Sequence, residues 1–325
     1  MKPVERRTAV AALVAGLCWP WPVVAQGQYP SQPVKLIVPY APGGVPDTAA
    51  RLLAQKLQNR IGQTVVVENR AGGNGSVAAS VITAAPPDGS TLLVVDTTLL
   101  SVSPLFISQL SYNPERDFLP IAALARTPLF LAVSTDTPIE TLAQFIAYAK
   151  AHPGELNYGS AGIGSTHQLT MEAMKSALNL DIAHVPFRGT SQAVPALLGN
   201  HVQVLWASYP NLKAGVESGK IKLLANNGLG HSPLLPDVPP LADVIPGFDM
   251  VSVIGVYGRA GTPEPIIRKI AADAIASMKE PNMDEALAPL GMEPVGEGPE
   301  PFAKMIAREV NTITKVVESA GIQAK

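Results

Sequence analysis

The fold of this chain is decided by the stretch Val34-Lys35-Leu36-Ile37-Val38-Pro39-Tyr40-Ala41-Pro42-Gly43-Gly44-Val45-Pro46-Asp47. Its first five residues are mostly apolar and β-branched, as in a buried strand. Pro39 ends the strand, and Pro42-Gly43-Gly44 predicts a sharp turn, because glycine readily adopts a positive φ. Asp47 is then expected at the N-cap of a helix that begins at Thr48.

This strand-to-helix turn is a candidate anion site. The backbone N–H groups at the start of a helix have no partner within the helix, and the helix dipole favours a negative charge there. From this stretch alone, a well-capped turn without any ligand explains the pattern equally well.

The composition is typical of a globular protein with a large core and does not suggest a nucleic-acid partner. The chain has 325 residues, which is enough for two domains. Hydrophobic residues make up 47%, charged residues 15% and aromatic residues 5%, so the core is expected to be large and aliphatic. The net charge is −2, and no basic stripe with interleaved aromatic residues argues for a nucleic-acid partner.

The first 25 residues are typical of a secretory signal peptide. Lys2, Arg6 and Arg7 form a positive start, and residues 8–17 form an apolar run. Val23-Val24-Ala25 ends in a small residue, so cleavage is predicted after Ala25, with export to the periplasm.

A retained N-terminal anchor is the alternative for this segment. The apolar run is short for a membrane span, and Pro20 ends it. Lipid attachment at Cys18 is disfavoured, because Leu17 precedes it where glycine, alanine or serine is needed. Since Cys18 is the only cysteine, the mature chain is expected to fold without disulfides, as suits a large α/β protein of a bacterial periplasm.

Strand and helix signals alternate along the rest of the chain. The first hundred residues read as βαβαβ, which predicts a parallel sheet with right-handed crossovers. Residues 101–116 are expected to be irregular, because they contain Pro104 and Pro114. The chain is expected to cross to a second domain near residues 125–128 and to return near 251–257. Three C-terminal helices are predicted over residues 263–279, 282–289 and 299–320.

A second glycine-rich turn lies in the second predicted domain, at Gly159-Ser160-Ala161-Gly162-Ile163-Gly164-Ser165-Thr166-His167. Backbone amides and the hydroxyls of Ser160, Ser165 and Thr166 are expected to converge there. Two helix N-termini, one in each domain, could hold a small carboxylate between them. A nucleotide fingerprint is absent, because His167 stands where the third glycine is required.

Catalytic and metal-binding patterns are weak. Ser165 and His167 are two residues apart, which directs them away from each other on a helix. Asp47 could act as an acid or base, but an N-cap role explains it more simply. The five histidines show no metal-ligand spacing, so neither a metal nor a cofactor is predicted. Arg188, in a third strand-to-helix turn, could pair with a ligand carboxylate or with a surface acid.

Six short motifs follow one another along the mature chain: Tyr29-Pro30, Ile37-Val38-Pro39-Tyr40-Ala41-Pro42-Gly43-Gly44 with Asp47, Val67-Glu68-Asn69-Arg70, Pro87-Asp88-Gly89, Gly162-Ile163-Gly164-Ser165-Thr166-His167 and His184-Val185-Pro186-Phe187-Arg188-Gly189. With this set, the sequence resembles the extracytoplasmic solute receptors of the tripartite tricarboxylate transporter family, the Bug or TctC-like proteins. The resemblance implies a receptor that captures a small organic acid by lobe closure and delivers it to a membrane permease, without catalytic activity.

The resemblance also implies the fold and the site. The fold is the type 2 periplasmic-binding-protein fold, an α/β fold with two lobes and a ligand cleft between them. Lobe 1 would comprise residues 26–126 and 250–325, and lobe 2 residues 127–249. The protein would act as a monomer. The implied ligand contacts come from both lobes: Tyr40, Gly44, Val45, Asp47, Gly75, Thr97, Thr98, Gly164, Ser165, Thr166, His167, Arg188, Gly189 and Thr190.

Two departures from the family pattern concern acids. Ala196 stands where an Asp normally precedes two leucines, and Trp206-Ala207 replaces a pair that usually includes Asp. The Trp206-Ala207 pair is expected to end a strand that faces the cleft. The loss of an acid there favours a less cationic, bulkier or apolar-bodied acid as the ligand.

Other functions remain open at this point. The protein could present its ligand to a sensor kinase instead of a permease. A secreted hydrolase or isomerase would use Asp47 and His167 across the cleft. A purely structural interaction protein fits poorly with two glycine-rich turns that face each other.

Overall fold

The computed structural model describes residues 29–107 and 110–322, so the predicted signal peptide lies outside the described part. The described residues form eleven β-strands: β1 (Val34–Val38), β2 (Val65–Asn69), β3 (Thr91–Asp96), β4 (Phe118–Thr127), β5 (Phe130–Ser134), β6 (Asn157–Ser160), β7 (Ala183–Pro186), β8 (Val204–Ala207), β9 (Ile221–Asn226), β10 (Ser252–Arg259) and β11 (Glu293–Glu297).

They also form eleven α-helices: α1 (Val45–Ile61), α2 (Ser76–Ala84), α3 (Thr97–Phe106), α4 (Pro114–Asp117), α5 (Leu142–Ala151), α6 (Thr166–Leu178), α7 (Thr190–Leu198), α8 (Tyr209–Glu217), α9 (Glu264–Met278), α10 (Met283–Leu287) and α11 (Pro299–Ala320). Among the helices described, none combines the length and the apolar character needed to cross a bilayer.

The first sheet has six strands in the order β11-β4-β10-β3-β1-β2. β1 lies between β2 and β3 and is parallel to both, as the βαβαβ pattern predicted. Its side chains are buried except that of Lys35, because helices cover both faces of a parallel sheet. β10 is antiparallel to β3 and β4, so the chain returns to this sheet after completing the second one.

The second sheet has five strands in the order β7-β6-β8-β5-β9. β6 is parallel to β7 and β8, whereas β5 is antiparallel to β8 and β9. Each sheet, with the helices packed on it, forms one α/β lobe. We refer to the lobe around the six-stranded sheet as lobe 1 and to the other as lobe 2; their boundaries at residues 126/127 and 249/250 stay predictions.

The prediction of an irregular segment over residues 101–116 was wrong for its first part. α3 continues to Phe106, although it contains Pro104. The helix is started by Asp96, whose Oδ1 accepts a hydrogen bond of 2.9 Å from the N–H of Leu99. Pro104 cannot donate to the carbonyl of Leu100, so the helix loses one hydrogen bond there without ending. The edge strand β11 was also missed.

The C-terminal helix α11 connects the two lobes. Near its start, Phe302 is fully buried against the six-stranded sheet, in a cluster with Tyr257 and Val253. Further along, Ile313 and Val316 are buried in the core of lobe 2. A single helix therefore contributes apolar side chains to both cores, which sets where the lobes lie relative to each other.

We expect Gly255→Ala to destabilise the protein by about 2–3 kcal/mol, because an added Cβ would overlap the ring of Phe302 and lie 3.1 Å from the carbonyl oxygen of Ala122. Gly230→Ala is the matched control, since nothing lies within 4 Å of a Cβ at Gly230. Urea denaturation of both variants measures the difference. Equal stabilities would show that Phe302 does not anchor α11 as described.

Candidate functional site

A cavity of about 630 Å³ lies between the two lobes, at the carboxyl ends of β1, β3 and β6. This volume is within the range of sites for small molecules. Residues from lobe 1 line one side: Tyr40, Asn74, Asp96, Thr98, Leu99, Val102, Ser103, Phe106 and Ile107. Residues of the turn between β6 and α6 line the other: Ala161, Ile163, Gly164, Ser165, Thr166 and His167.

The lobe 2 wall is the N-terminus of α6. Ser165 is the N-cap residue, and its Oγ accepts a hydrogen bond from the N–H of Gln168. The amide of Gly164 is already used, since it donates to Oε1 of Gln168 at 2.8 Å. The amides of Thr166 and His167 belong to the first helical turn, where no helical carbonyl can accept from them. These two donors can therefore serve an anion in the cavity.

His167 adds no charge to this wall. Burial lowers the pKa of His167 to about 4, so the imidazole is neutral near pH 7. Within the described part of the chain, its Nδ1 is buried and has no hydrogen-bond partner. The positive character of the wall thus comes from backbone dipoles alone.

The lobe 1 wall carries an acid. Asp96 accepts from the N–H of Leu99 and from the hydroxyl of Tyr40, which forms a very short hydrogen bond to Oδ2. Burial raises the pKa of Asp96, because the charged form loses its hydration. Burial and the neighbouring Asp96 likewise raise the pKa of Tyr40, so the phenol remains protonated and is the donor.

A second acid lies directly behind this wall. The hydroxyl of Thr98 donates to Oε1 of Glu309 at 2.9 Å, and the hydroxyl of Ser252 lies 2.9 Å from the same Thr98 oxygen. Glu309 belongs to α11, the helix that connects the lobes. Burial raises the pKa of Glu309 to about 7. The cleft is thereby linked through one hydroxyl to a carboxyl group that titrates near neutrality.

The rest of the lobe 1 wall is an apolar face of α3. Leu99, Val102 and Phe106 are spaced by three and four residues, so they lie on the same side of the helix. Phe106 approaches lobe 2 closely, because a Cβ added at Gly164 would lie 3.8 Å from its ring. The ring of Phe106 would thus be in ordinary van der Waals contact with a Cβ at this position, and the positive φ of +77° is what favours glycine there.

The first turn is built differently from the prediction. Gly44 is the N-cap of α1, so the assignment of Asp47 as the N-cap was wrong. Asp47 is 1% exposed and accepts hydrogen bonds from the N–H of Gly43, from Arg51 and from the side-chain amide of Asn69. The Gly43 amide is thus directed at Asp47, and not at the cavity as we had expected.

The network around Asp47 stabilises the charged carboxylate. Burial alone would raise the pKa of Asp47, but the hydrogen bonds from Arg51, the Gly43 amide and Asn69 lower it below the usual value. Asn69 also donates to the carbonyl of Tyr40 at 3.0 Å, so the network joins the end of β2 to the turn after β1. Its role here is to hold the turn that presents Tyr40.

The structure brings together six of the residues implied by the resemblance: Tyr40, Thr98, Gly164, Ser165, Thr166 and His167. The others do not line the cavity: Gly44, Val45, Asp47, Gly75, Thr97, Arg188, Gly189 and Thr190. Thr97 is fully buried and accepts from the N–H of Val253, and Gly75 packs on Leu99 behind the wall. Arg188 is exposed. Their part in ligand binding stays a prediction.

Two positions where an acid is missing do not face the cleft, which corrects our expectation. Ala196 and Ala207 are buried in the core of lobe 2, beside Phe130 and Leu205. β8 alternates, with Leu205 and Ala207 on this side and Val204 and Trp206 in the other cluster of the lobe. The change at these positions therefore does not alter the charge of the cavity.

Several lining residues were not found from the sequence. Asp96 could have been recognised as an N-cap followed by apolar residues at 99, 102 and 106, which is a helix-start signal. Asn74 and the apolar residues of α3 carry no chemical signature of their own. No lysine or arginine is among the described residues that line the cavity, so its polarity differs from that of a site built on a cationic clamp.

Comparison with known proteins identifies the family. The model of the tripartite tricarboxylate transporter family receptor matches residues 49–322. The chain belongs to this receptor family. Protein BugT of Bordetella pertussis is 30% identical to the receptor over 313 residues, which cover 96% of this chain and 95% of BugT.

Solved structures agree with this result. A protein of R. palustris determined with adipate is 31% identical, with a TM-score of 0.74, and the match covers 91% of the receptor and 100% of that chain. MatC from Rhodopseudomonas palustris with bound malate is 30% identical, with a TM-score of 0.67 and coverages of 89% and 100%. The predicted fold, two α/β lobes of the type 2 periplasmic-binding class with a cleft between them, is confirmed.

We expect Asp47→Ala to destabilise the receptor by about 2–3 kcal/mol, since it leaves the Gly43 amide and Asn69 without their buried acceptor. Because the pKa of Asp47 is lowered in the folded state, its contribution is present above pH 3.8 and is lost as the pH falls through the folded value. Urea titrations at pH 7 and pH 3 measure both effects.

Glu264→Ala is the control for this variant. Glu264 also pairs with an arginine four residues away, Arg268, but both side chains are at least 70% exposed. Exposed pairs of this kind contribute less than about 1 kcal/mol. If both variants lost the same stability, the Asp47 network would have no special role in holding the turn.

The pH dependence of stability tests Glu309. Its pKa is raised from 4.5 to about 7 in the folded state, so the folded protein binds the proton more tightly than the unfolded chain does. Stability is therefore expected to fall as the pH rises from about 4.5 to 7, by about 1–3 kcal/mol from this group. Glu309→Gln should remove this slope and raise the melting temperature at pH 8.

The contribution of His167 to stability changes with pH in the opposite direction, so it must be separated from the contribution of Glu309. Because the pKa of His167 is lowered to about 4, its contribution is lost as the pH falls from 6.5 to 4. Melting curves of Glu309→Gln and of the wild type from pH 4 to 8 isolate the Glu309 part by subtraction. If the difference in melting temperature between Glu309→Gln and the wild type stayed the same from pH 4 to 8, the raised pKa of Glu309 would be contradicted.

Proposed function

We propose that the receptor captures a small organic acid in the cleft between its lobes, in the periplasm, and delivers it to a tripartite membrane transporter. The observation that carries the proposal is the α6 N-terminus, where the amides of Thr166 and His167 adjoin a cavity lined by both lobes. The family model names a receptor of this transporter class, and two similar structures contain adipate and malate.

A carboxylate suits this site for a physical reason. Hydrogen bonds from neutral amides to an ionised acceptor contribute about 1.5–3 kcal/mol each, and the helix dipole adds to them. The positive end of the helix dipole repels a cation, and a neutral oxygen acceptor such as a sugar hydroxyl forms hydrogen bonds about half as strong as those of a carboxylate. The acid end of a ligand would therefore be oriented toward lobe 2.

The composition of the cavity, which is lined by both lobes, supports closure of the lobes on the ligand. A ligand that touches α6 and α3 together binds best when the lobes are close, so it shifts the population toward the closed form. The segments that can bend are the two chain crossings, between β4 and β5 and before β10, together with α11. We propose that the permease recognises this closed form of a monomeric receptor, exported by the signal peptide of residues 1–25.

The hydrolase or isomerase alternative loses its basis in the structure. Asp47 is committed to Gly43, Arg51 and Asn69 and does not line the cavity, while His167 has a pKa of about 4 and stays neutral. A general base needs to reach the substrate and to have a pKa near the working pH. Neither residue meets both conditions, so we propose a binding protein.

Thr166→Pro tests the proposed anion contact. Thr166 is the first residue of α6, where proline is tolerated, and Ser165 before it has the extended backbone that proline requires (φ −70, ψ 152). The substitution therefore removes one N–H donor without disturbing the helix. We expect about tenfold weaker binding of carboxylates by calorimetry, with an unchanged melting temperature of the free receptor.

Thr166→Ala is the control, because it removes the hydroxyl and keeps the N–H. The acids to use are those known for similar structures, adipate and malate, together with short monocarboxylates. Binding stabilises the receptor by about 2.7 kcal/mol at a hundredfold excess over Kd, so a thermal shift reports it as well. If no acid binds, or if Thr166→Pro binds as tightly as the wild type, the proposal is wrong.

A further inference from the structure

We propose that the receptor selects an acid with a single carboxylate and an apolar body over dicarboxylates and amino acids of the same length. This inference rests on the proposed function, because it assumes that the carboxylate occupies the α6 N-terminus. It goes further in assigning the opposite wall, formed by α3, Tyr40 and Asp96, as the part of the cleft that determines specificity.

An apolar surface lies opposite the N-terminus of α6. Leu99, Val102, Phe106 and Ile107 line the lobe 1 side, and Ile163 from lobe 2 is 48% exposed at the cleft. Binding is favoured when a ligand covers such apolar side chains and removes their surface from water. A carbon chain extending from the α6 N-terminus toward α3 would contact this surface.

The lobe 1 side of the cleft carries acidic groups and no basic group among the described lining residues. Asp96 lines the cavity, and Glu309 lies behind Thr98 at hydrogen-bond distance. No described lining residue offers a lysine or arginine to a second carboxylate at this end. A dicarboxylate would have to bring its far charge out of water beside these acids, with no opposite charge to compensate.

The contacts of Asp96 also disfavour a ligand ammonium group, although the charge of Asp96 would attract one. Both oxygens of Asp96 already accept hydrogen bonds, one from the hydroxyl of Tyr40 and one from the N–H of Leu99. Glu309 is likewise bonded to Thr98 and separated by it from the cavity. An ammonium group would lose its hydration for incomplete contacts, whereas a methyl end would lose nothing.

Three ligands with the same six-carbon chain test the inference: hexanoate, adipate and 6-aminohexanoate. All three carry a carboxylate at one end, and they differ at the other end, which is a methyl group in hexanoate, a second carboxylate in adipate and an ammonium group in 6-aminohexanoate. We expect calorimetry on the full mature receptor at pH 7.5 to show hexanoate binding at least tenfold more tightly than either of the others. A smaller ratio, or tighter binding of adipate or 6-aminohexanoate, overturns the inference.

The same titrations keep the two proposals separate. If adipate, 6-aminohexanoate or malate binds and hexanoate does not, the carboxylate receptor stands and the assignment of the α3 wall falls. If none of these acids binds, both fall. A thermal-shift series with the same ligands gives an independent ranking from the mass-action stabilisation.

Variants on α3 test the wall itself. Phe106→Ala should weaken hexanoate binding at least fivefold and leave the affinity for acetate unchanged. Leu105→Ala is the matched control, because Leu105 is the neighbouring residue, is 36% exposed and does not line the cleft. If the two variants bind hexanoate equally, the apolar wall does not hold the ligand body.

Asp96→Asn tests the charge at constant shape. The amide oxygen can still accept from Leu99, so the start of α3 is kept. We expect the hexanoate-to-adipate preference to fall at least threefold, through tighter adipate binding. Glu309→Gln serves as the second variant if Asp96→Asn fails to fold. An unchanged preference in the folded variant overturns the electrostatic part of the inference.

Discussion

The amides at the start of a helix have no carbonyl partner within that helix, so the turns after β1 and β6 both rely on side chains to satisfy nearby donors. After β1, the side chain of Asp47 reaches back to the Gly43 amide and is itself held by Arg51 and Asn69. After β6, Ser165 and Gln168 satisfy part of the set and leave the amides of Thr166 and His167 beside the cavity. In both turns the third helical residue binds the amide of the glycine just before the N-cap, and the turns differ because only the helix N-terminus after β6 lines the cavity.

This difference bears on the lobe closure that we propose. The Asp47 network ties Tyr40 to the end of β2, so we expect lobe 1 to present the same wall with and without a ligand. The amides of Thr166 and His167 would be satisfied by an anion enclosed in the cavity. α11 contributes Phe302 to one lobe and Ile313 and Val316 to the other, so its packing on both cores opposes wide opening.

Much of the fold could be predicted from the sequence, since β1 and α11 were placed at their observed limits and the parallel order around β1 follows from βαβαβ. α3 was missed because Pro104 was taken as a helix breaker. The loss of one hydrogen bond is tolerated in this helix, which packs against α11 and β10. Asp47 was misplaced because a carboxylate at the third position of a helix can reach the same turn as one at the N-cap. Ala207 was expected to face the cleft because a short apolar strand does not reveal which of its faces is inside.

The lining of the site was less predictable, since it depends on which surfaces of two lobes meet. The glycine-rich turns indicate where each lobe borders the cleft. The side chains of α3 face the cavity only because α11 and the chain crossings position the two lobes. In our proposal, specificity rests on residues without a chemical signature. With helix dipoles as the only positive element among the described lining residues, a charged ligand would be held firmly only when water is excluded, because dipoles act more strongly at low dielectric. The ring of Phe106 lies close to Gly164 across the cleft and would help to exclude that water, so the apolar wall would strengthen the polar contact that it faces.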